Sequence, residues 1–275
     1  MVFVIKYDGR REEFDPEKIR QSCLRSGATP EKAEEIVEYA KKKVYDGMST
    51  KKLMKLVYAK LNCTSGKHIA IRYSLKEAIT ELGPEGYEFE WYVAHLLRED
   101  GYKTIHSPDP KLKGHWVDHE IDVLAQKGKE KVIIECKHHF KSHTWTGLEV
   151  PLIQWARLED LDENGNCITG AWIITNTKFS EHAIRYSKGK NIRLIGWNYP
   201  PGQGLEKLIE RERRYPLTVL KMPNFIRWKL IEREITNIIE FNEANNSILS
   251  DAGLSAAKIK ELKDMCFKLL NGKRI

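Results

Sequence analysis

Three side chains near the middle of the chain could do chemistry together: Asp122, Glu135 and Lys137. Two β-rich runs, Glu120–Gln126 and Lys131–Lys137, flank Lys127-Gly128-Lys129-Glu130 and predict a β-hairpin. Strand side chains alternate between faces, so Glu135 and Lys137 share one face with Cys136 opposite, and strand pairing brings Asp122 alongside. Two carboxylates supply hard oxygen donors for Mg2+ (or Mn2+) and leave coordination positions for water and a phosphate oxygen. An ammonium beside them orients water or offsets developing negative charge. This donor set suits metal-assisted hydrolysis of a phosphodiester. The competing reading is an ordinary exposed Glu–Lys pair, with Asp122 a charge near a turn. Val132-Ile133-Ile134 tells against it, because charges ending a strand apolar enough to be central are out of place in a core.

The neighbouring elements must position these groups. A helix over Glu85–Glu99, with Phe89, Val93, Leu96 and Leu97 inward, offers Glu90 as a third carboxylate from the side. Glu88, on a different helix face, is the weaker candidate. Gln154, on a helix beginning near Pro151, either faces the site as an accessory polar group or lies in solvent. His115, His119, His138, His139 and His143 crowd the region. As sequence neighbours on opposite strand faces, His138 and His139 cannot both point inward, so phosphate contact or surface placement is expected. With Lys141, Trp145 and Trp155 they could line a DNA groove, although a Trp is more commonly buried. Downstream, a strand at Ala171–Thr175, a helix capped by Ser180 and a strand at Ile192–Ile195 predict a mixed sheet covered on both faces.

The first 83 residues read differently. Val2–Lys6, the turn Asp8-Gly9 and a second strand give a hairpin. Helices follow Asp15-Pro16, Thr29-Pro30 and Ser49-Thr50, each with a capping residue at its start, and a fourth runs from Ile69 to Ile79. Gly83-Pro84 is a natural boundary, as is Tyr199-Pro-Pro-Gly-Gln-Gly204. Beyond it the pattern is helical over Leu205–Arg213, Phe225–Phe241 and after Ser255. Arg211, Arg213, Arg214, Lys221 and Arg227 there are either a solvated face or phosphate contacts.

Composition narrows the classes. At 275 residues with 41% hydrophobic, the chain is long enough for two or three packed domains. No long apolar run or secretory leader is visible, so no membrane association and a cytoplasmic location are expected. The five cysteines form no CxxC pair, which argues against a zinc ribbon or disulfide framework. A net charge of +7 suits a polyanionic partner without requiring one.

Residues 86–197 resemble the Mrr-like branch of the PD-(D/E)xK restriction-endonuclease superfamily. The matching pieces are Gly86-Tyr-Glu-Phe-Glu90, Leu96-Leu97, Gly101-Tyr102, Ile121-Asp122-Val123, Glu135-Cys-Lys137, Gly170–Thr175, Phe179-Ser180 and Ile192–Ile195. The resemblance implies Asp122 and Glu135 as metal ligands, Lys137 as the catalytic lysine and Glu90 as the helix carboxylate. Residues 3–82 resemble the ATP-cone, through Val4-Ile-Lys6-Tyr-Asp8-Gly9-Arg10, Phe14-Asp15, Lys18-Ile19, Ser49-Thr50 and Arg72-Tyr73. Tyr7 stands where that family usually carries arginine. The resemblance implies ATP or dATP as an effector, with Lys6, Arg10 and Lys18 on phosphates and the Thr50 hydroxyl at a helix start. No GxxxxGK(S/T) motif occurs, so hydrolysis of the nucleotide is not expected.

The expectation is a multi-domain α/β protein: an ATP-cone over 1–83 built from a β-hairpin and a helical bundle, a restriction-endonuclease-like α/β sandwich with a mixed sheet over 84–198, and a helical segment over 199–275. Its expected activity is metal-dependent DNA cleavage regulated by nucleotide, with a homodimer suited to cutting both strands. The alternative is an inactive DNA-binding or nucleotide-sensing regulator on the same scaffold.

Overall fold

The computed structural model describes residues 2–83, 87–141 and 143–271, and they fall into two compact units, residues 2–75 with 267–271 and residues 76–266. The expected helix start at Glu85-Gly86 and the proline of Gly83-Pro84 lie outside the described residues.

In the first unit, β1 (Phe3–Ile5) and β2 (Arg11–Glu13) form the expected hairpin, with Val4 opposite Glu12. Its turn closes through Lys6 N donating to Arg10 O, and Gly9 takes a φ of 83° that suits a residue without Cβ. Helices α1 (Pro16–Arg25) and α2 (Pro30–Lys43) start at the N-caps Asp15 and Thr29, each with proline in its first turn. A two-residue strand not expected from sequence, β3 (Met48–Ser49), pairs parallel with β1. Helix α3 (Thr50–Thr64) follows, and Ser49 accepts from Lys52 N. Val4 and Met48 of the sheet pack with Ile19, Ile36, Val37, Leu53, Val57 and Leu61 of the helices in one buried cluster. The expected helix over Ile69–Ile79 is instead two, α4 (Lys67–Tyr73) and α5 (Leu75–Thr80), the latter belonging to the second unit from residue 76 onward. They part at Ser74, whose hydroxyl donates to Ile71 O and competes with the helical ladder.

The second unit holds a five-stranded sheet. After α6 (Tyr87–Glu99) come β4 (Lys103–His106), β5 (Lys111–Lys113), β6 (Asp118–Glu120), β7 (Val123–Lys127), β8 (Glu130–Lys137) and β9 (Trp145–Thr146). Then follow α7 (Glu149–Glu163), β10 (Gly170–Thr175), β11 (Lys178–Phe179), α8 (Glu181–Gly189) and β12 (Arg193–Ile195). The main sheet runs β12-β10-β8-β7-β4, parallel on the β12–β8 side and antiparallel on the β8–β4 side. Strand β8 is central, and Val132 through Cys136 are all buried, as a strand covered on both faces requires. One cover is α6, packed on β4, β7 and β8. On the other, α7 and α8 enclose Ile133, Ala171, Ile173 and Leu194 with Val150, Leu161 and Ala183.

The remaining helices are α9 (Leu205–Glu212), α10 (Asn224–Ile231), α11 (Ile238–Glu243), α12 (Asn246–Asp251) and α13 (Ala256–Asn271). The helix expected over Phe225–Phe241 is broken. Glu234 adopts a left-handed φ of 59°, and Asn237 opens α11 with a capping box closed by Glu240. Asn237 is fully buried and accepts from Ile239 N and Glu240 N. Asn237→Ala is therefore expected to lower stability by about 1–2 kcal/mol, measured as a reduced urea midpoint at unchanged slope.

Candidate active site

The β7–β8 register pairs Val123 with Ile134. One residue further on, Asp122 faces Glu135 where β8 outruns its partner. Asp122 lies just before β7 instead of within the strand, and its Oδ2 accepts from Cys136 N at 2.7 Å. The carboxylate thus occupies the first ladder position that β7 no longer fills. Glu135 and Lys137 share a face as strand parity demands, and Lys137 Nζ lies 2.6 Å from Glu135 Oε1. Glu90 comes from the helix on the opposite cover and accepts from the hydroxyl of Ser107, just beyond β4. Glu90 is close enough for its charge to act on Asp122. The structure therefore brings Glu90, Asp122, Glu135 and Lys137 together.

Gln154 is buried and not solvent-facing. Its amide nitrogen donates to the carbonyls of Ile133 and Trp172, so its oxygen points to Arg157 Nη1 at 3.0 Å. Arg157 is the residue that sequence reasoning missed: Nη1 reaches Glu135 Oε2 at 2.6 Å. Only its place one turn after Gln154 could have hinted at it. Glu88 is buried, its oxygens make no hydrogen bond among the described residues, and its charge reaches the cluster only by raising Glu90.

The electrostatics of the cluster are lopsided. Burial, followed by the charges of Glu135 and Glu90, pushes the Asp122 carboxyl up to about 7. Burial likewise raises Glu90. Burial also opposes the Glu135 charge, but the hydrogen bond and charge of Lys137, joined by Arg157, hold that carboxyl below its usual range. Lys137 is raised despite its partial burial, because Glu135 and Asp122 stabilise its charge. Three carboxylates converge on one end of a central strand: Glu135 is paired with two cations, whereas burial dominates at Asp122 and Glu90. Such a donor set fits a hard divalent cation.

Three of the five histidines sit in internal networks, while His115 is exposed as expected. His119 Nε2 meets Asp160 Oδ2 at 2.6 Å. His138 stacks on Phe89 and faces Ile79 O, while His139 bonds Thr146 and Asn176. The expected phosphate contact or surface placement does not describe these three. Trp145 is exposed beneath Lys178, and Trp155 is half-buried beneath Lys190. Arg211 pairs with Asp100 at 2.8 Å, and Arg214 with Glu99 and Glu240, so neither is an open phosphate contact.

In the first unit, Lys6 and Lys18 converge on Glu12, at 3.1 and 2.5 Å. The pairing of Ile5 with Ser49 sets Lys6 beside Thr50, the first residue of α3. Arg10 stands apart at the hairpin tip, mostly exposed and paired with Asp8.

Residues 83–198 match the family model described as a restriction endonuclease, and residues 2–81 match the ATP cone domain. An uncharacterized protein of Archaeoglobus fulgidus is 36% identical over 170 residues, spanning 62% of this chain and 95% of the relative. The crystal structure of a protein of unknown function, AF1548, is 35% identical with a TM-score of 0.60 and covers 68% of this chain and 99% of its own. MspJI restriction endonuclease in complex with a 27-mer oligonucleotide is 13% identical with a TM-score of 0.33, over 86% of this chain and 48% of that one, a similarity too low to carry an argument. Residues 83–198, within the second unit, are thus a restriction-endonuclease-like mixed α/β domain, and the chain belongs to the Mrr-like restriction-endonuclease family, with an ATP-cone domain over residues 2–81 fused ahead of it.

Proposed function

We propose that the protein is a divalent-metal-dependent endonuclease that hydrolyses DNA phosphodiesters, with ATP or dATP bound by the ATP-cone as effector. The observation that carries this reading is the convergence of Asp122, Glu135 and Glu90 with Lys137 at the end of β8. Asp122, Glu135 and Glu90 would hold the cation, Mg2+ or Mn2+. Bound there, the ion polarises a phosphoryl oxygen and makes water a better nucleophile. Lys137 keeps its proton and presents an ammonium to the charge that builds on the phosphoryl oxygens as water adds and the P–O ester bond breaks. Arg157 fixes the rotamer of Glu135, and Gln154 fixes Arg157, so both are positioning residues. One such site per chain cuts one strand, and a homodimer would cut both.

The test is cleavage of supercoiled plasmid in Mg2+ against EDTA. Nicking or linearisation that needs the metal supports the reading. DNA binding without cleavage under any divalent ion would leave the inactive DNA-binding regulator in its place.

For the effector, Lys6 and Lys18 present two ammonium groups beside a helix start. Lys6→Ala and Lys18→Ala are each expected to weaken ATP or dATP binding at least about tenfold, the loss of one charge-assisted hydrogen bond. Isothermal titration checks this, and unchanged affinity in both variants would remove these lysines from the nucleotide site.

A further inference from the structure

Two histidines and a carboxylate meet beyond the proposed nuclease centre. His95 on α6, His106 at the end of β4 and Glu234 in the turn after α10 place one ligand atom each within 4.8 Å of one another. His95 Nε2 is 3.9 Å from Glu234 Oε2, and His106 Nε2 is 4.0 Å from Glu234 Oε1.

The outer contacts fix the chemistry of both rings. His106 Nδ1 faces Ser107 O at 2.9 Å, and a carbonyl only accepts, so the proton sits on Nδ1 and Nε2 is bare. His95 Nδ1 faces Glu240 Oε1 at 2.7 Å, while Nε2 faces Arg98 Nη1 at 3.1 Å. A guanidinium only donates, so Nε2 carries the lone pair and Nδ1–H donates to the carboxylate. Each imidazole therefore offers Nε2 inward and anchors Nδ1–H on an oxygen, the arrangement that orients histidine toward a metal. Burial also favours the neutral His106 ring, the ligating form. Glu234 is held on this side by its left-handed backbone, which a residue with a Cβ adopts only when its surroundings enforce it.

We propose that His95, His106 and Glu234 bind a divalent ion of Zn2+ type, separate from the nuclease cation and structural in role. Two imidazoles and one carboxylate suit such a borderline ion better than Mg2+. A tetrahedral ion with bonds of about 2.0–2.1 Å holds its ligand atoms about 3.4 Å apart. Glu234 is 59% exposed and free to close the remaining gap. Arg98 Nη1 lies 3.5 Å from Glu234 Oε2 as well as against His95, so its guanidinium takes the place of the cation in this conformation. The ion would displace it while Arg98 Nε keeps its bond to Thr104. So bound, it fastens the turn between α10 and α11 to α6 and β4.

The experiment uses the full chain carrying Asp122→Asn, to weaken the other divalent site, dialysed against Zn2+ and assayed by elemental analysis. Co2+ substitution is read by its visible ligand-field bands. One retained Zn2+ per chain, with a tetrahedral Co2+ spectrum, is expected. Glu234→Ala, an exposed substitution, and His106→Gln should each lose both signals, and Arg98→Ala should tighten binding by removing the competitor. Glu240→Gln should weaken it by about 10–100-fold through the orientation of His95. No retained Zn2+, or Zn2+ content unchanged in Glu234→Ala and His106→Gln, would overturn the proposal and leave an Arg98 ion-pair network only.

Discussion

Lys137→Ala is expected to lower Mg2+-dependent DNA cleavage by about 10²–10³-fold, the loss that follows removal of one preorganised group aimed at developing charge. The side chain is 41% exposed, so its removal opens no core cavity. Glu135 keeps its Arg157 partner at 2.6 Å, which holds the carboxylate in place. Folding and DNA affinity should therefore stay close to wild type while the initial rate on supercoiled plasmid collapses. Lys137→Arg should not restore the rate, because a planar guanidinium cannot replace a compact ammonium wedged against Glu135. A Lys137→Ala protein that cuts as fast as wild type would take the lysine out of the chemistry.

Asp122→Asn is expected to stabilise the protein in EDTA above neutral pH while abolishing stabilisation by Mg2+. In the fold the Asp122 carboxyl is pushed from 3.8 up to about 7, by burial first and then by Glu135 and Glu90. A folded-state pKa above the unfolded value means that the native state holds the proton more tightly. The stabilising contribution is fully present below about pH 4 and is lost as pH rises through about 7. At about pH 8 without divalent ions, the ionised carboxylate costs on the order of 1–3 kcal/mol, taking each pKa unit as about 1.4 kcal/mol and discounting for its partial exposure. Asparagine removes that charge, and its amide oxygen still accepts from Cys136 N, the bond that Asp122 makes at 2.7 Å. Thermal melts from about pH 5 to 8 should show the variant's advantage growing with pH. Added Mg2+ should raise Tm in wild type alone. A variant less stable than wild type at about pH 8 in EDTA would contradict this electrostatic account.

The chemistry was legible in the sequence where it lay along one strand pair. Strand parity puts Glu135 and Lys137 on one face, and the hairpin spacing delivers Asp122, because both follow from a period of two. The apolar run Val132–Ile134 marked β8 as central, and it is the middle of five strands. Arg157 was not legible, since its approach to Glu135 depends on how α7 is rotated against the sheet. For the same reason the sequence left Gln154 between the site and solvent. The edge strand β4 is mostly polar and carries no strong strand signature, so nothing in the sequence marks His106 and Ser107, which it positions. The break before α11 was written in Asn237-x-x-Glu240, a capping box hidden because apolar residues continue at helical spacing on both sides. Ser74 divides α4 from α5 in the same inconspicuous way.

Anomalous diffraction from crystals soaked in Mn2+ probes the proposed centre most directly. A peak is expected within coordination distance of both the Asp122 and Glu135 carboxylates, with Glu90 turned toward it, Lys137 beside it and Arg157 still on Glu135. Density for Mn2+ only at His95, His106 and Glu234, or nowhere, with Asp122 still resting on Cys136 N and Lys137 still closed on Glu135, would contradict the proposed centre.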